Sequence, residues 1–153
     1  GFAAEKIERH ERNLRLLSQA WQLAQEDKKA IPPLKEAAAM SDNGELYARL
    51  AQSYLNLSDY KACIDASNKG IGKGGLKNTG NAYLILGMCQ FERDSLSSAK
   101  ASFRKALKYE KAAKNASSWI TYVESEEERK RQLAESLRRV QKQKEEPVAE
   151  QTT

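Results

Sequence analysis

The residues that could carry out chemistry in this chain are few: one histidine, His10, and two cysteines, Cys63 and Cys89. A catalytic triad or a zinc site needs several such residues at defined spacings, and the two cysteines form no CxxC pair. The carboxylates occur in charged helical strips, whereas a tuned general acid needs an isolated pair in apolar sequence. We therefore expect no catalytic residues, no metal site and no cofactor.

The two cysteines have two interpretations. As small buried hydrophobic residues, Cys63 and Cys89 need no special role, and this is the simpler prediction. If the chain is exported, a disulfide between them is the alternative, and it requires Cα atoms within about 7 Å. The sequence leaves both interpretations open.

The segment Lys69–Gly80, KGIGKGGLKNTG, combines glycine and lysine in the way that phosphate-binding loops do. It lacks the order G-x4-G-K-[ST], and no strand precedes it. We expect a plain connector.

Composition indicates one all-helical domain. The chain has 153 residues, 40% of them hydrophobic, and few β-branched runs. Its net charge of +5 comes with abundant acidic residues, so it does not by itself indicate nucleic acid. No apolar run reaches the roughly 18 residues of a membrane span. Residues 1–14 are too polar for a signal peptide, and we expect that they lie inside a longer protein.

The stretch from 81 to 107 alternates large and small apolar residues in the pattern of a helix–turn–helix unit. In order they are Tyr83, Leu86, Gly87, Ala99, Phe103 and Ala106. Their spacing resembles the tetratricopeptide repeat (TPR), W-x2-L-G-x2-Y…A-x3-F, although Gln90 replaces the tyrosine. Gly87 would let the two helices of the unit approach closely, and the alanines would let the next unit pack.

Two earlier units repeat this pattern at spacings of 33 and 36 residues, measured from Ser18 to Ala51 and from Ala51 to Gly87. Their matching residues are Leu14, Leu17, Ser18, Trp21, Ala30, Leu34 and Ala37 in the first unit, and Tyr47, Leu50, Ala51, Tyr54, Cys63, Ser67 and Gly70 in the second. Pro32-Pro33 should kink the second helix of the first unit or delay its start. We expect Asp59 to cap a helix, and Asp42 or Asn43 to cap another.

A final helix, capped by Asn115 or Ser117, should close the stack with Trp119, Ile120, Tyr122 and Val123, because the last repeat otherwise exposes its core. Beyond residue 124 the helix is strongly charged, with Leu133, Leu137 and Val140 at i, i+4, i+7 spacing. This segment is either a solvated helix or a seam for self-association or partner docking.

The predicted fold is therefore a right-handed TPR superhelix of about three helix pairs with a long C-terminal capping helix. The predicted boundaries are a lead-in helix or the remnant of an upstream repeat at 1–10, units at 11–43, 44–79 and 80–113, the capping helix with its charged extension at 114–144 and a disordered tail at 145–153.

The first helix of each pair should line the concave face, where a protein or peptide partner would bind. The inward-facing residues predicted there are Arg12, Arg15, Gln19 and Gln22 in unit 1, Ala48, Gln52, Leu55 and Asn56 in unit 2, and Leu84, Met88 and Phe91 in unit 3. The last three form a stripe that either anchors an apolar peptide side chain or packs on the final helix.

Four longer runs give a closer resemblance: RNLRLLSQAWQLAQEDKKAIPPLKEAA, SDNGELYARLAQSYLNLSDY, GGLKNTGNAYLILGMCQF and ASSWITYVESEEERKR. They resemble the C-terminal part of exported TPR proteins that Gram-negative bacteria encode with TonB, ExbB and ExbD homologues. The resemblance covers about residues 12–131. It implies a periplasmic location, an export signal upstream, and partners in a TonB-type transport system.

We therefore expect a non-catalytic scaffold for protein–protein interaction. The first alternative is a cytoplasmic TPR adaptor, similar to a co-chaperone, that binds acidic peptide tails. It needs a groove clamp of Lys, Arg and Asn, for which the predicted groove offers Arg12, Arg15 and Asn56. Nucleic-acid binding through Lys69–Lys77 and Arg129–Arg131 is a weaker alternative.

Overall fold

The structure is a computed structural model that describes residues 2–23 and 27–146, all helical apart from short turns. The seven helices of these residues are α1 (Phe2–Leu23), α2 (Asp27–Met40), α3 (Glu45–Asn56), α4 (Tyr60–Lys73), α5 (Thr79–Glu92), α6 (Leu96–Ala106) and α7 (Glu110–Glu145). Consecutive helices pack as pairs, which we name unit 1 (α1, α2), unit 2 (α3, α4) and unit 3 (α5, α6). The helix α7 packs on both helices of unit 3. No helix in the described ranges is long and apolar enough to cross a membrane.

Unit 3 packs as its residue spacing predicts. A Cβ added at Gly87 would lie 2.6 Å from the ring of Phe103, so α5 and α6 meet at a distance that only glycine permits. Phe103, Ala99 and Ala106 are fully buried. Gln90, which replaces the expected tyrosine, accepts a hydrogen bond of 2.6 Å from the hydroxyl of Ser102 on α6. The substitution therefore keeps a contact between the two helices.

Units 1 and 2 share one core, but Leu17 departs from the prediction. The matching alanines and leucines of α2 and α3, such as Leu34 and Leu50, are almost fully buried. Ser18 is buried as predicted and its hydroxyl donates to the carbonyl of Ala30. Leu17, however, is 44% exposed, because no described helix packs on that side of α1. The side chain of Trp21 is outside the described part.

The cysteines are joined. Cys63 on α4 and Cys89 on α5 form a disulfide with Cα atoms 6.3 Å apart, and both residues are 0% exposed. The simpler prediction, two unlinked buried thiols, is therefore wrong. It failed because the sequence does not show that the two repeats bring these positions face to face. The bridge links unit 2 to unit 3.

The turns between units lie at one edge of the stack and contact one another. The amide of Gly44 donates to the carbonyl of Gly74 at 2.8 Å, which joins the α2–α3 turn to the α4–α5 turn. A Cβ on Gly80 would lie 2.6 Å from Cβ of Tyr109, which brings the α6–α7 turn against α5.

The predicted loop Lys69–Gly80 is shorter than expected, since residues 69–73 are the last turn of α4.

The side chain of Lys73 holds the last turn of α4 against the end of α2. Its ammonium donates to the carbonyl oxygens of Ala38 and Ser41, at 3.2 and 2.6 Å. A cation at the C-terminal end of α2 satisfies carbonyl groups that have no partner within the helix. Lys73 therefore has a structural role in holding α4 to α2.

Several helix ends also differ from the sequence prediction. The segment 1–10 is not a separate lead-in, because α1 runs without a break from Phe2 to Leu23. The prolines do not delay α2, which begins at Asp27. The helix α7 begins at Glu110 rather than at the predicted 114, ahead of both predicted caps.

Two caps of unit 2 follow the sequence more closely. Asp59 caps α4 as predicted, accepting from the amide of Ala62. Asn43 accepts from the amide of Glu45 at the start of α3, although Gly44 holds the cap position. Of the predicted tail, residues 147–153 lie outside the described ranges.

Candidate peptide-binding groove

The inner face of the stack is formed by α1, α3 and α5. The helix α3 contacts α5 directly as well as its own partner α4, which places the first helices of successive units next to each other. In a stack of helix pairs this is the side that curves inward. The predicted groove residues of units 1 and 2 lie on these helices.

The edge of this face next to the inter-unit turns carries three cations. Arg15 of α1, Arg49 of α3 and Lys77, just before α5, line one small concavity together with Asn43 and Glu45. The carboxylate of Glu45 accepts from the backbone amide of Lys77 at 3.1 Å, so it is oriented by the chain rather than by a side-chain cation. We call Arg15, Arg49 and Lys77 the basic cluster. Its three cations outnumber the two carboxylates beside them, Glu45 in the concavity and Glu11, which pairs with Arg15.

Arg12 and Arg15 also face acidic residues of their own helix. Nη2 of Arg15 lies 2.9 Å from the carboxylate of Glu11, one helical turn earlier, and Glu8 lines the same shallow concavity as Arg12. A partly exposed pair of this kind stabilises a helix by less than about 1 kcal/mol. It can therefore rearrange when a ligand carboxylate approaches.

Amide side chains continue the groove along α3. Nε2 of Gln52 donates to Oδ1 of Asn56 at 2.9 Å, and the amide of Asn56 points to the carboxylate of Asp27 at 3.4 Å. Both amides are reachable from solvent, because Gln52 is half-buried and Asn56 is exposed. Such groups can exchange their mutual bond for bonds to a peptide backbone.

The remaining predicted residues of units 1 and 2 differ in what they can contribute. Gln19 and Ala48 are half-buried, and Leu55 packs against the core of units 1 and 2. The side chain of Gln22 is outside the described part of the chain.

The apolar stripe of unit 3 packs against α7, which is the second of its two predicted alternatives. Leu84 is only 7% exposed, and Met88 and Phe91 pack against the same core cluster. The ring of Phe91 lies 5.8 Å from that of Trp119 and 5.2 Å from that of Tyr122. Leu84 is therefore unavailable to a peptide, and the groove residues accessible to a partner belong mainly to units 1 and 2.

Sequence reasoning missed two members of the basic cluster. Arg49 lies one position after Ala48, which the helical phase assigned to the groove. Lys77 lies in the segment that the missing phosphate-loop order identified as a connector. Two hydrogen bonds in the structure, from Gly44 to Gly74 and from Lys77 to Glu45, show that this segment packs back onto the groove edge.

No family model matches the sequence, and no curated relative matches it. Solved structures do match. The second TPR domain of human RPAP3, solved with the HSP70 peptide SGPTIEEVD, aligns with a TM-score of 0.70 at 18% identity, covering 77% of this chain and 98% of that domain. The chain has the TPR fold.

Two further TPR domains support this assignment. The TPR domain of Arabidopsis OM64 aligns with a TM-score of 0.66 at 22% identity, over 76% of this chain and 98% of that one. The N-terminal domain of stress-induced protein-1 from C. elegans aligns with a TM-score of 0.68 at 16% identity, over 77% of this chain and 97% of that one. At these identities the likeness establishes the TPR fold and leaves the partner open. The resemblance to TonB-associated TPR proteins stays a prediction from sequence.

Proposed function

We propose that this chain is a protein-interaction scaffold that holds an extended acidic segment of a partner in the groove of units 1 and 2. The observation that carries the proposal is the basic cluster, in which Arg15, Arg49 and Lys77 come from three different elements and line one concavity. Guanidinium and ammonium groups bind carboxylates through charge-assisted hydrogen bonds. Gln52 and Asn56 can then hold the backbone of the same segment.

The structural neighbours fit this proposal. The RPAP3 domain was solved with a peptide that contains two glutamates and ends in Val-Asp. From the sequence, the adaptor that binds peptide tails ranks second, because the predicted groove offers only Arg12, Arg15 and Asn56 for the clamp. Arg49 and Lys77 supply the missing charge.

The proposal is tested by titrating the fluorescently labelled probe peptide SGPTIEEVD into the chain at low and at physiological salt. Replacing Arg49→Gln and Lys77→Gln together should weaken binding by about 100-fold or more, because two charged hydrogen bonds are lost and each contributes about 1.5–3 kcal/mol. The matched control is Lys28→Gln with Lys61→Gln, two exposed lysines of α2 and α4. Absence of binding at low salt, or an equal loss in the control, would contradict the proposal.

For location, we propose the periplasm, with a partner in a TonB-type transport system, as the sequence resemblance implies. The disulfide supports export, since such bridges persist in oxidising compartments and are rare in the cytosol of mesophiles. The cytoplasmic adaptor is the second candidate, and the likeness to RPAP3 favours it.

Trapping free thiols with a maleimide at the moment of cell lysis distinguishes the two locations. A periplasmic protein should contain no reactive thiol, even after denaturation. Two thiols in the denatured protein would favour the cytoplasm. Purification of the full protein from envelope extract should then recover TonB, ExbB or ExbD homologues, and their absence would count against that partner.

A further inference from the structure

Positive charge is dense around the turn between α6 and α7. Residues 104–114 contain five cations and one carboxylate, a net charge of +4. The cations are Arg104, Lys105, Lys108, Lys111 and Lys114, and the carboxylate is Glu110. We call residues 104–114 the basic turn.

Three lysines of this turn are exposed and form no ion pair. Lys108, Lys111 and Lys114 are all exposed, and none forms an ion pair with any carboxylate that the structure describes. Arg104 is also exposed, but it is attracted to Glu127 of α7. The mutual repulsion of the three lysines is therefore not offset by an ion pair in the described residues, which favours a polyanionic surface as their partner.

Two large apolar side chains stand among these charges. Leu107 is 40% exposed and Tyr109 is 38% exposed. Tyr109 is held in place by its stacking on Tyr83, with ring centroids 6.3 Å apart. Tyrosine and leucine surrounded by lysines suit the boundary between lipid head groups and acyl chains, where an aromatic ring and an aliphatic side chain both find apolar surroundings.

The shape of the basic turn selects among polyanions. Residues 107–109 join the end of α6 at Ala106 to the start of α7 at Glu110, so Leu107 and the exposed part of the Tyr109 side chain lie on a tight helix–helix turn at the edge of the stack. A peptide strand binds best in a groove, as at the basic cluster. A projecting turn can instead rest on a flat, deformable surface and insert its apolar tip there.

We propose that the basic turn docks this protein onto a lipid bilayer that carries anionic head groups. Leu107 and Tyr109 enter the interface, and the surrounding cations contact the phosphates.

Flotation with lipid vesicles tests the proposal on the intact chain at low and at physiological salt. Vesicles of phosphatidylcholine containing phosphatidylglycerol should bind the protein, and pure phosphatidylcholine vesicles should not. Changing Lys108, Lys111 and Lys114 to glutamine together should weaken binding about 100- to 200-fold, since each such residue near the surface contributes about 1 kcal/mol.

The matched control changes Lys28, Lys35 and Lys61 to glutamine, which removes the same charge from exposed positions on α2 and α4. It should retain most of the binding. An equal loss in this control would overturn the proposal, because net charge alone would then explain the attraction.

A second variant separates a bilayer from other polyanions. Leu107→Gln should weaken vesicle binding several-fold and leave any binding to polyglutamate or to a duplex oligonucleotide unchanged. Failure to bind anionic vesicles even at low salt would overturn the proposal. So would equal binding to vesicles and to the soluble polyanions with no effect of Leu107→Gln.

Discussion

At the scale of single residues, close packing in this protein depends on glycine as well as on large side chains, because a glycine leaves room for a neighbouring side chain. Gly87 and Gly72 show the contrast. A Cβ at Gly87 would lie 2.6 Å from the Phe103 ring, whereas a Cβ at Gly72, near the end of α4, would meet nothing within 4 Å. Both positions are helical, so the conformational cost of glycine relative to alanine is the same at each. Only the packing around them differs.

Gly87→Ala should therefore lower the free energy of unfolding by about 1–3 kcal/mol, because the added methyl group forces α5 and α6 apart. Gly72→Ala should raise it by about 0.5–1 kcal/mol, since alanine favours the helix and finds open space. Urea unfolding followed by circular dichroism measures both. Equal changes in the two variants would show that helix propensity, and not the Phe103 contact, dominates.

The ion pair between α6 and α7 predicts a pH dependence. Nζ of Lys100 lies 2.7 Å from the carboxylate of Glu127, and this hydrogen bond is the main cause that holds the pKa of Glu127 below its ordinary value. A carboxylate with a lowered pKa in the folded state stabilises the fold above its unfolded pKa, and that stabilisation is lost as the pH falls through the folded pKa.

Thermal unfolding between neutral pH and about pH 3 tests this, since an unperturbed glutamate titrates at about 4.3. Glu127→Gln should lose part of the acid sensitivity of the midpoint, because its side chain no longer takes up a proton. Glu135→Gln is the matched control, since Glu135 pairs only within α7. The same acid sensitivity in Glu127→Gln and in the unchanged protein would contradict the assignment.

At the scale of helices, the sequence predicted which helices form and which of them pack together better than it predicted where each helix begins and ends. The spacing of Ala99, Phe103 and Gly87 identified unit 3 because each residue fills a place in the helix interface. The predicted start of α7 at 114 was wrong, since the helix begins at Glu110. The helix forms there because Ala112 and Ala116 are buried against unit 3. Tertiary packing outweighs local composition in that segment.

The same limit applies to the groove. Helical phase placed Arg15 and Gln52 on the inner helices, but Lys77 comes from a turn whose position depends on contacts between units. The phase alone also could not decide whether Phe91 faces a peptide or α7. The aromatic contacts with Trp119 and Tyr122 decide that question.

The two halves of α7 should contribute very differently to stability. Val123 is fully buried, and Lys130 pairs with Asp94 of the α5–α6 turn, but every residue from 131 to 145 is exposed. A chain ending at Lys130 should unfold within about 0.5 kcal/mol of the intact protein, because the described residues that it removes, 131–146, are all exposed and their ion pairs lie within α7. Trp119→Ala should lower the free energy of unfolding by about 2 kcal/mol or more, since its ring stacks on Phe103.

Thermal and urea unfolding of these two variants are the measurements. A large loss of stability on truncation would show that Leu133, Leu137 and Val140, which are 51%, 60% and 47% exposed, are covered in solution. Sedimentation at several concentrations would then test the predicted self-association through this seam.

At the scale of the whole molecule, the residues that the structure describes form two cores connected through α5. One cluster contains Leu34, Leu50 and Cys63 of units 1 and 2, and the other contains Phe103 and Val123 of unit 3 and α7. Repeat proteins are stabilised by contacts between neighbours, so their parts can separate when one interface is weak. The disulfide crosses the interface between units 2 and 3.

Replacing both cysteines with alanine should therefore reduce stability and cooperativity together. Closing a loop of 26 residues contributes about 3–4 kcal/mol to stability in the chain-entropy account. Native-state hydrogen exchange should show one common free energy for the slowest amides of α3 and α6 in the bridged protein. In the variant the two values should diverge. A common value in both proteins would show that packing alone couples the cores.

The bridge also has a mechanical consequence. A stretched chain extends by at most about 3.6 Å per residue, so the segment between Cys63 and Cys89, separated by 26 positions, would add about 90 Å if it could unravel. While the bridge is intact, a force applied at the two ends of the protein bypasses that segment. When the protein is pulled from its termini, the fully extended chain with the disulfide intact should be shorter by that amount than the reduced chain. Cys63 of α4 and Cys89 of α5 should stay linked after the rest of the protein has unfolded.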